Sequence, residues 1–181
     1  FFGLGDGACA NIGSKCAVAG RIACTVGTSA AVRVCLPLRN PETLFQVELG
    51  LFCYRIDRAH VLVGGALTDG GSVIEWVAEL LNLGNASSDA FKNATSQAQA
   101  LLEEDYKASS RQSPTVVPFL SGERSTGFRS GATGAILGLT RDTTPAHLLK
   151  ACLEGVTLRL CAVLQLMLKV ASSAFDGKQV V

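Results

Sequence analysis

The sequence predicts an α/β domain in which a sheet is flanked by helices. Its first third contains two pairs of β-prone runs around short turns, and from residue 69 onward apolar residues recur at three- and four-residue intervals. The chain has 181 residues, of which 48% are hydrophobic, which is enough to bury the core of one globular domain. Strand pairs followed by alternating helices and a strand are typical of layered α/β or α+β structures.

The four β-prone runs predict a small, largely antiparallel sheet. They cover residues 21–26, 30–36, 51–56 and 60–67. A glycine-centred turn at residues 27–29 joins the first pair, which suits a hairpin or a ligand-facing loop. Gly64 and Gly65 lie inside the fourth run and predict either a bulge or a close backbone approach.

Helical periodicity dominates the rest of the chain. A short helix is predicted to begin in the glycine-rich segment near Asp6, and further helices are predicted from residue 69, over 87–107 and from 144 to about 174. Asp69 or Ser72 is a candidate cap of the second helix. Residues 115–120 predict a short strand, and the loop at 121–134 is long enough to suggest a functional role.

Composition argues against two classes of partner. The chain carries 16 Lys and Arg against 15 Asp and Glu, so it lacks the excess of positive charge that nucleic-acid binding requires. The most apolar stretch, residues 151–171, contains Glu154, Arg159 and Lys169, which favours a buried core helix over a membrane span. We therefore expect neither nucleic acid nor membrane as a partner.

The cysteines and histidines do not suggest a metal site. The seven cysteines are odd in number and form no C-x-x-C pair, which is typical of free thiols in a reducing compartment. We expect the cytoplasm, with a plastid as the alternative. His60 and His147 have no cysteine or carboxylate partner at ligand spacing.

Two glycine-containing segments are candidate sites, each with a plain structural alternative. Residues 3–8 satisfy G-x-G-x-x-G/A, but no strand precedes them and the expected acidic residue about 20 positions later is absent, so a dinucleotide site is weakly supported. Asp6 within this segment is either a helix N-cap or a general base that projects into a cleft. The turn at 27–29 is either a plain hairpin turn or a phosphate-binding turn.

In combination, these segments resemble the FGGY family of carbohydrate kinases, members of the actin-like ATPase superfamily. The similar segments are GDGACANIGSKC (5–16), RIACTVGTSAAVRV (21–34), GGALTDGGSVIEW (64–76), PFLSGERSTGF (118–128), and GAILGL (134–139) followed after seven residues by HLLKACLE (147–154). The last pair follows the family's C-terminal signature with one departure, Cys152, which preserves size and apolarity. The resemblance implies an actin-like, ribonuclease H-like domain with a mixed sheet and flanking helices.

The resemblance also implies roles for individual residues. Asp6 corresponds to the catalytic base, Gly27 and Thr28 to residues that hold the β- and γ-phosphates of ATP, and Gly71 and Glu75 to residues that contact the nucleotide. Glu75 stands where the family commonly has an amide, and a carboxylate accepts hydrogen bonds but does not donate them. Mg²⁺ would bridge the phosphates, and no residue is assigned to a protein metal site.

The resemblance covers a partial C-terminal domain, residues 1–181, so we expect the N-terminal domain and the adenine-binding segment to lie outside the chain. One hypothesis is that the intact parent is an ATP-dependent kinase of a ketose, polyol or sugar acid. The alternative is a non-catalytic binding or regulatory module that keeps the kinase fold. Arg124 and Arg129 in the long loop either bind substrate or phosphate or are solvated, and a homo-oligomer is left open.

Overall fold

The computed structural model describes residues 5–18, 20–38, 47–108 and 113–175, with the side chains of 106–108 and 171–175 excepted. The helices are α1 Asp6–Gly13, α2 Ser72–Leu80, α3 Asp89–Ala108 and α4 Pro145–Phe175. The strands are β1 Ile22–Val26, β2 Ala30–Pro37, β3 Phe52–Arg55, β4 His60–Leu67, β5 Thr115–Val117 and β6 Ala135–Leu137. The predicted α/β class is confirmed. Gly3, the first glycine of the dinucleotide-like pattern, lies outside the described residues.

The main sheet has four strands in the order β1-β2-β4-β3, and neighbouring strands are antiparallel. Because side chains alternate along a strand, β2 presents Val32 and Val34 to one face and Arg33 to the other. The valine face forms the core with α2 and α4, and both valines are buried. Helix α1 contacts β2, where its Gly7 lies against Arg33 on the opposite face.

Gly64 and Gly65 allow two close approaches within β4, as the sequence predicted. A Cβ atom on Gly64 would lie 2.5 Å from the Val32 carbonyl oxygen, and one on Gly65 would lie 2.4 Å from Val163 of α4. The β2–β4 register runs through both glycines without interruption, so the alternative of a bulge is wrong. Because these two positions have no side chain, β2 and α4 can lie directly against β4.

A second sheet contains β5 and β6, which pair antiparallel. The expectation of a single sheet is therefore wrong. Strand β6 has three residues, too few for an alternating pattern to reveal it in the sequence. Helix α4 also contacts β5, so both sheets share one long helix as a support.

Helix α4 begins at Pro145, as the sequence predicted, because proline lacks the N–H that the first turn of a helix leaves unsatisfied. Its inner side buries Val163 and Met167, whereas Leu158 and Leu168 are exposed. The segment Pro145–Val170 is long and apolar enough to cross a membrane by length and composition alone. It contacts α2, α3, β2, β4 and β5, so one side of this helix packs against the rest of the domain.

Candidate active site

Asp6 is the first residue of α1 and its side chain is exposed. The N-cap is Gly5, which is extended, and no side chain caps this helix end. The interpretation of Asp6 as an N-cap is therefore wrong. Its Oδ1 accepts a hydrogen bond of 2.7 Å from the N–H of Gly7, which orients the exposed carboxylate at the helix start.

Gly7 seats this helix start on the sheet. A Cβ atom at Gly7 would lie 2.6 Å from the Tyr54 hydroxyl and 3.2 Å from Nε of Arg33, so a larger residue would displace the helix. Further along α1, the fully buried Asn11 donates from Nδ2 to the carbonyl of Cys16 at 3.3 Å and fixes the segment that follows the helix. The exposed Asp6 is thus carried by a helix held at both ends.

The turn between β1 and β2 is joined to the start of α2 by backbone hydrogen bonds. Gly71 N–H donates to the Gly27 carbonyl at 2.7 Å, and the N–H groups of Gly70 and Ser72 donate to the Thr28 carbonyl at 2.8 and 3.3 Å. Cβ atoms at Gly70 and Gly71 would lie 2.8 and 2.9 Å from backbone atoms of the turn. The structure therefore brings together Gly27, Thr28 and Gly71, which are 44 residues apart at their extremes.

Not every group in the turn is available to a ligand. The Gly27 N–H donates to the Ser29 carbonyl at 2.8 Å and is already used. The side chains of Thr28 and Ser29 are exposed. A ligand at this turn would therefore meet the hydroxyl groups and the remaining N–H groups, while Gly27 contributes its small size.

Arg33 connects the start of α1 to the strand that leads into this turn. Its Nε lies beside Gly7, and its Nη1 donates to the Thr25 hydroxyl at 3.3 Å. Thr25 is two residues before Gly27. A continuous series of contacts therefore runs from the helix start that carries Asp6 to the β1–β2 hairpin.

Tyr54 experiences the charges of this cluster. Burial raises the pKa of its hydroxyl above the ordinary value, and the neighbouring Arg33 guanidinium lowers it, while Asp6 and Cys9 raise it further. The carboxylate of Asp6 and the guanidinium of Arg33 thus act on the same hydroxyl group. Sequence reasoning missed Arg33 and Tyr54, because only the fold places β2 and β3 under α1.

Glu75 lies one helical turn after Gly71, and its N–H donates to the Gly71 carbonyl at 3.1 Å. Its exposed side chain lines an open cleft of about 660 Å³ between α2 and the start of α3. Asn82, Asn85 and Phe91 also line this cleft. The sequence predicted the position of Glu75 on α2 but not the cleft, which depends on the path of the α2–α3 connection.

Asp69 is a buried carboxylate that sequence reasoning treated only as a helix cap. The N-cap of α2 is Gly71, and neither Asp69 nor Ser72 caps this helix with its side chain, so that expectation is wrong. Asp69 accepts from the Ser121 N–H at 2.7 Å and from the Ser72 hydroxyl at 3.4 Å. It therefore ties the long loop to the start of α2.

The long loop is also anchored to α4. Arg159 forms an ion pair with Glu123 and donates to the Ser125 carbonyl at 2.9 Å, and its guanidinium lies 4.9 Å from the centre of the Phe119 ring. Arg124 and Arg129 are both exposed, in agreement with the solvated alternative. The loop is thus braced by other side chains.

Both histidines serve local structure. His60 pairs with Asp57 in the β3–β4 turn at 3.0 Å, and Nδ1 of His147 lies 2.8 Å from the Thr144 hydroxyl at the start of α4. Within the residues that the structure describes, no group of three or more His, Cys, Asp and Glu side chains is arranged to hold a metal ion. None of the seven cysteines, all of which lie in the described ranges, forms a disulfide.

Comparison with known proteins identifies the family. A family model described as the C-terminal domain of the FGGY family of carbohydrate kinases matches residues 22–177. This chain belongs to the FGGY family. Gly27, Thr28, Gly71 and Glu75 fall within the matched residues, and Asp6 precedes them.

Individual FGGY proteins are similar over most of the chain. Gluconokinase from Bacillus subtilis (strain 168) is 30% identical over 167 residues, which cover 89% of this chain and 31% of that protein. The ligand-bound xylulose kinase from Lactobacillus acidophilus has a TM-score of 0.65 at 26% identity and covers 94% of this chain and 30% of its own. Plasmodium falciparum glycerol kinase with ADP has a TM-score of 0.70 at 22% identity, over 93% of this chain and 31% of that one, and at this identity it shows the fold alone.

These structural neighbours confirm the actin-like ATPase fold that the resemblance implied. The FGGY chain spans about a third of the length of the curated relatives that it matches.

Proposed function

We propose that this chain is the C-terminal part of a longer ATP-dependent carbohydrate kinase, which phosphorylates a hydroxyl group of a ketose, polyol or sugar acid. The observation that carries the proposal is the contact series from the start of α1, through Arg33, to the β1–β2 hairpin, because it links an exposed carboxylate to a turn with exposed hydroxyl groups. Membership of the FGGY family supports the same reaction class.

In this proposal Asp6 is the general base. The acceptor hydroxyl oxygen attacks the γ-phosphorus of ATP, the bond from that phosphorus to the β–γ bridging oxygen breaks, and the hydroxyl proton passes to the Asp6 carboxylate. The products are a phosphorylated sugar and ADP. The exposure of Asp6 supports this role, since a base must come within hydrogen-bond reach of the acceptor.

The β1–β2 turn would stabilise the transferring phosphoryl group. Thr28 offers its hydroxyl, and Gly27 allows phosphate oxygens to approach the backbone closely because it lacks a side chain. Gly71 keeps the start of α2 against this turn. Phosphoryl transfer depends mainly on positioning and on stabilising charge, so a preorganised turn is the kind of device that this reaction needs. The backbone bonds to α2 provide that preorganisation.

The residues present are compatible with Mg²⁺ bound together with the nucleotide. Mg²⁺ prefers hard oxygen ligands and binds with substrate phosphates, and the exposed Thr28 hydroxyl offers an oxygen of that type at the turn. When bound, the ion would neutralise charge on the phosphates. The nucleoside end of ATP would extend toward the cleft of about 660 Å³, where Glu75 can accept hydrogen bonds from hydroxyl or amino groups.

The first prediction concerns Asp6→Asn in the full-length protein. We expect phosphoryl transfer to fall by roughly 10²- to 10⁴-fold, because the amide cannot accept the proton, while the Kd for ATP changes little. Steady-state kinetics and calorimetry measure the two quantities. Asp57→Asn, at the exposed β3–β4 turn, is the matched control.

Full turnover by the Asp6→Asn variant would contradict the role of Asp6 as base. The module hypothesis makes a different prediction for the unmodified full-length protein: ligand binding without phosphorylation of any ketose, polyol or sugar acid. A panel assay of the unmodified protein separates the two functions.

A further inference from the structure

We propose that Arg33 binds an anionic group of the acceptor, so that the preferred substrate is a sugar acid whose carboxylate pairs with this guanidinium. The inference rests on the proposed kinase function and narrows its substrate class. It starts from the position of Arg33 between the start of α1 and Thr25. A substrate whose hydroxyl reaches Asp6 would lie close to this side chain.

The charge of Arg33 is not neutralised by the protein within the described ranges. The four ion pairs there join His60 to Asp57, Lys150 to Asp105, Lys150 to Glu154 and Arg159 to Glu123. Asp6 acts electrostatically on Tyr54, as does Arg33, yet no carboxylate oxygen of Asp6 lies within 4.0 Å of the Arg33 guanidinium. The two opposite charges therefore belong to one cluster but do not form an ion pair with each other.

The immediate surroundings hold Arg33 in place. Its Nη1 donates to the Thr25 hydroxyl and its Nε lies beside Gly7, while the Phe52 ring fills the space over Gly64, the partner of Arg33 on β4. Arg33 is only partly buried. A fixed and accessible guanidinium with remaining N–H donors matches the planar geometry of a carboxylate, which arginine binds through two parallel hydrogen bonds.

A carboxylate is favoured over the transferring phosphoryl group as the partner. Arg33 lies beneath the helix start that carries Asp6, where the acceptor must be, and its link to the turn passes through the side chain of Thr25. Asp6 forms no ion pair with Arg33, so the carboxylate of an acceptor can pair with this guanidinium directly, whereas a neutral sugar offers it only uncharged hydrogen-bond acceptors. The arrangement thus selects for acceptors with a negative charge.

The test is Arg33→Gln in the full-length kinase, assayed with D-gluconate as the acidic probe and with D-xylulose and glycerol as neutral probes. We expect the KM for D-gluconate to rise by about 10- to 100-fold, as for loss of a hydrogen-bonded charge pair, while the KM for ATP changes by less than about threefold. Arg33→Lys keeps the charge but not the planar guanidinium group, and its KM for D-gluconate should lie between those of the unmodified kinase and Arg33→Gln. Calorimetry on Asp6→Asn and on the double variant Asp6→Asn, Arg33→Gln measures D-gluconate binding without turnover. The Kd for D-gluconate should be higher in the double variant by the same factor as the KM.

Arg58→Gln is the matched control, because Arg58 is an exposed arginine in the β3–β4 turn at the other end of the sheet. An equal loss of kcat with every acceptor would overturn the proposal and place Arg33 on the phosphoryl group. A lower melting temperature together with the same loss of kcat/KM for every acceptor would overturn it and give Arg33 a purely structural role. Preference of the unmodified kinase for a neutral acceptor would overturn it as well, whereas absence of all kinase activity would instead reject the proposed function.

Discussion

Glycine at position 71 shows how a single missing side chain positions the candidate site. The backbone at this position is in the ordinary α-helical region, with φ of −62°, so the backbone conformation does not require glycine here. Space requires it, because a Cβ atom would lie 2.9 Å from the Gly27 carbonyl oxygen, which accepts the Gly71 N–H. The residue keeps α2 in contact with the β1–β2 turn.

The third prediction follows from this contact. Gly71→Ala should push the turn away from α2 and raise the KM for ATP of the full-length kinase by about tenfold, which corresponds to about 1.4 kcal/mol. Gly131→Ala is the control, since a Cβ atom there meets nothing within 4 Å. Steady-state kinetics with varied ATP measures the effect, and equal KM values for the two variants would contradict the steric argument.

Sequence reasoning found residues of the site that occur in short motifs, and it missed those that only the fold brings together. Asp6, Gly27 and Thr28 stand in glycine-rich segments whose composition marks a turn or a helix start. Arg33 stands in a regular strand, and nothing local distinguishes it from any solvent-facing arginine. Long-range contacts of this kind depend on strand order, which the sequence pattern does not specify.

At the level of elements, regular structure with a clear period was predicted closely. The hairpin β1–β2, strand β4 and helix α4 begin and end within about one or two residues of the expected positions. Strand β6 was missed because it is short, and the start of α2 was misassigned because backbone groups, not the side chains of Asp69 or Ser72, complete it. Capping by the backbone of another element leaves no signature in the local sequence.

Helices α3 and α4 are joined by a buried lysine. The Nζ of Lys150 is fully buried and lies 2.5 Å from Asp105, 2.7 Å from the Ser113 hydroxyl and 3.7 Å from Glu154. Burial of an ammonium group is tolerated only when it is paired and hydrogen-bonded. This lysine therefore holds α3, α4 and the segment before β5 together.

The fourth prediction is that Lys150→Ala lowers the free energy of unfolding by about 2–4 kcal/mol, because it removes a buried ion pair and leaves a cavity. Lys150→Met, which retains most of the volume, should cost less. Lys92→Ala on the exposed side of α3 is the control and should change the free energy by less than about 0.5 kcal/mol. Chemical denaturation followed by circular dichroism compares the three variants, and equal stability of Lys150→Ala and Lys92→Ala would refute the buried-pair interpretation.

For the whole molecule, α4 is the common support of both sheets and contains the one departure from the family signature, Cys152. This thiol is fully buried, and burial raises its pKa from 9.0 to about 11. In the unfolded chain the thiol ionises near its ordinary pKa, whereas in the folded chain it stays protonated until higher pH. The stability that the protonated Cys152 thiol contributes to the folded state is therefore fully present below about pH 9 and is lost as the pH rises toward 11.

The fifth prediction is an alkaline loss of stability that depends on Cys152. Between pH 8.5 and 10.5 the melting temperature of the unmodified protein should fall further than that of Cys152→Ala. The difference corresponds to about 2 kcal/mol in the free energy of unfolding. Cys161→Ala, at an exposed position of the same helix, should follow the unmodified protein. Parallel curves for all three proteins would show that ionisation of Cys152 does not contribute.

The bonds between the β1–β2 turn and α2 separate scaffolding from recognition. The carbonyl oxygens of Gly27 and Thr28 are engaged by amides of the next helix, so the main chain alone maintains the shape of this bend. The hydroxyl groups of Thr28 and Ser29 need not contribute to that shape and remain free to vary with ligand chemistry. A mutational survey would find the scaffold robust to polar exchange at these two positions and intolerant of bulk at Gly70 and Gly71.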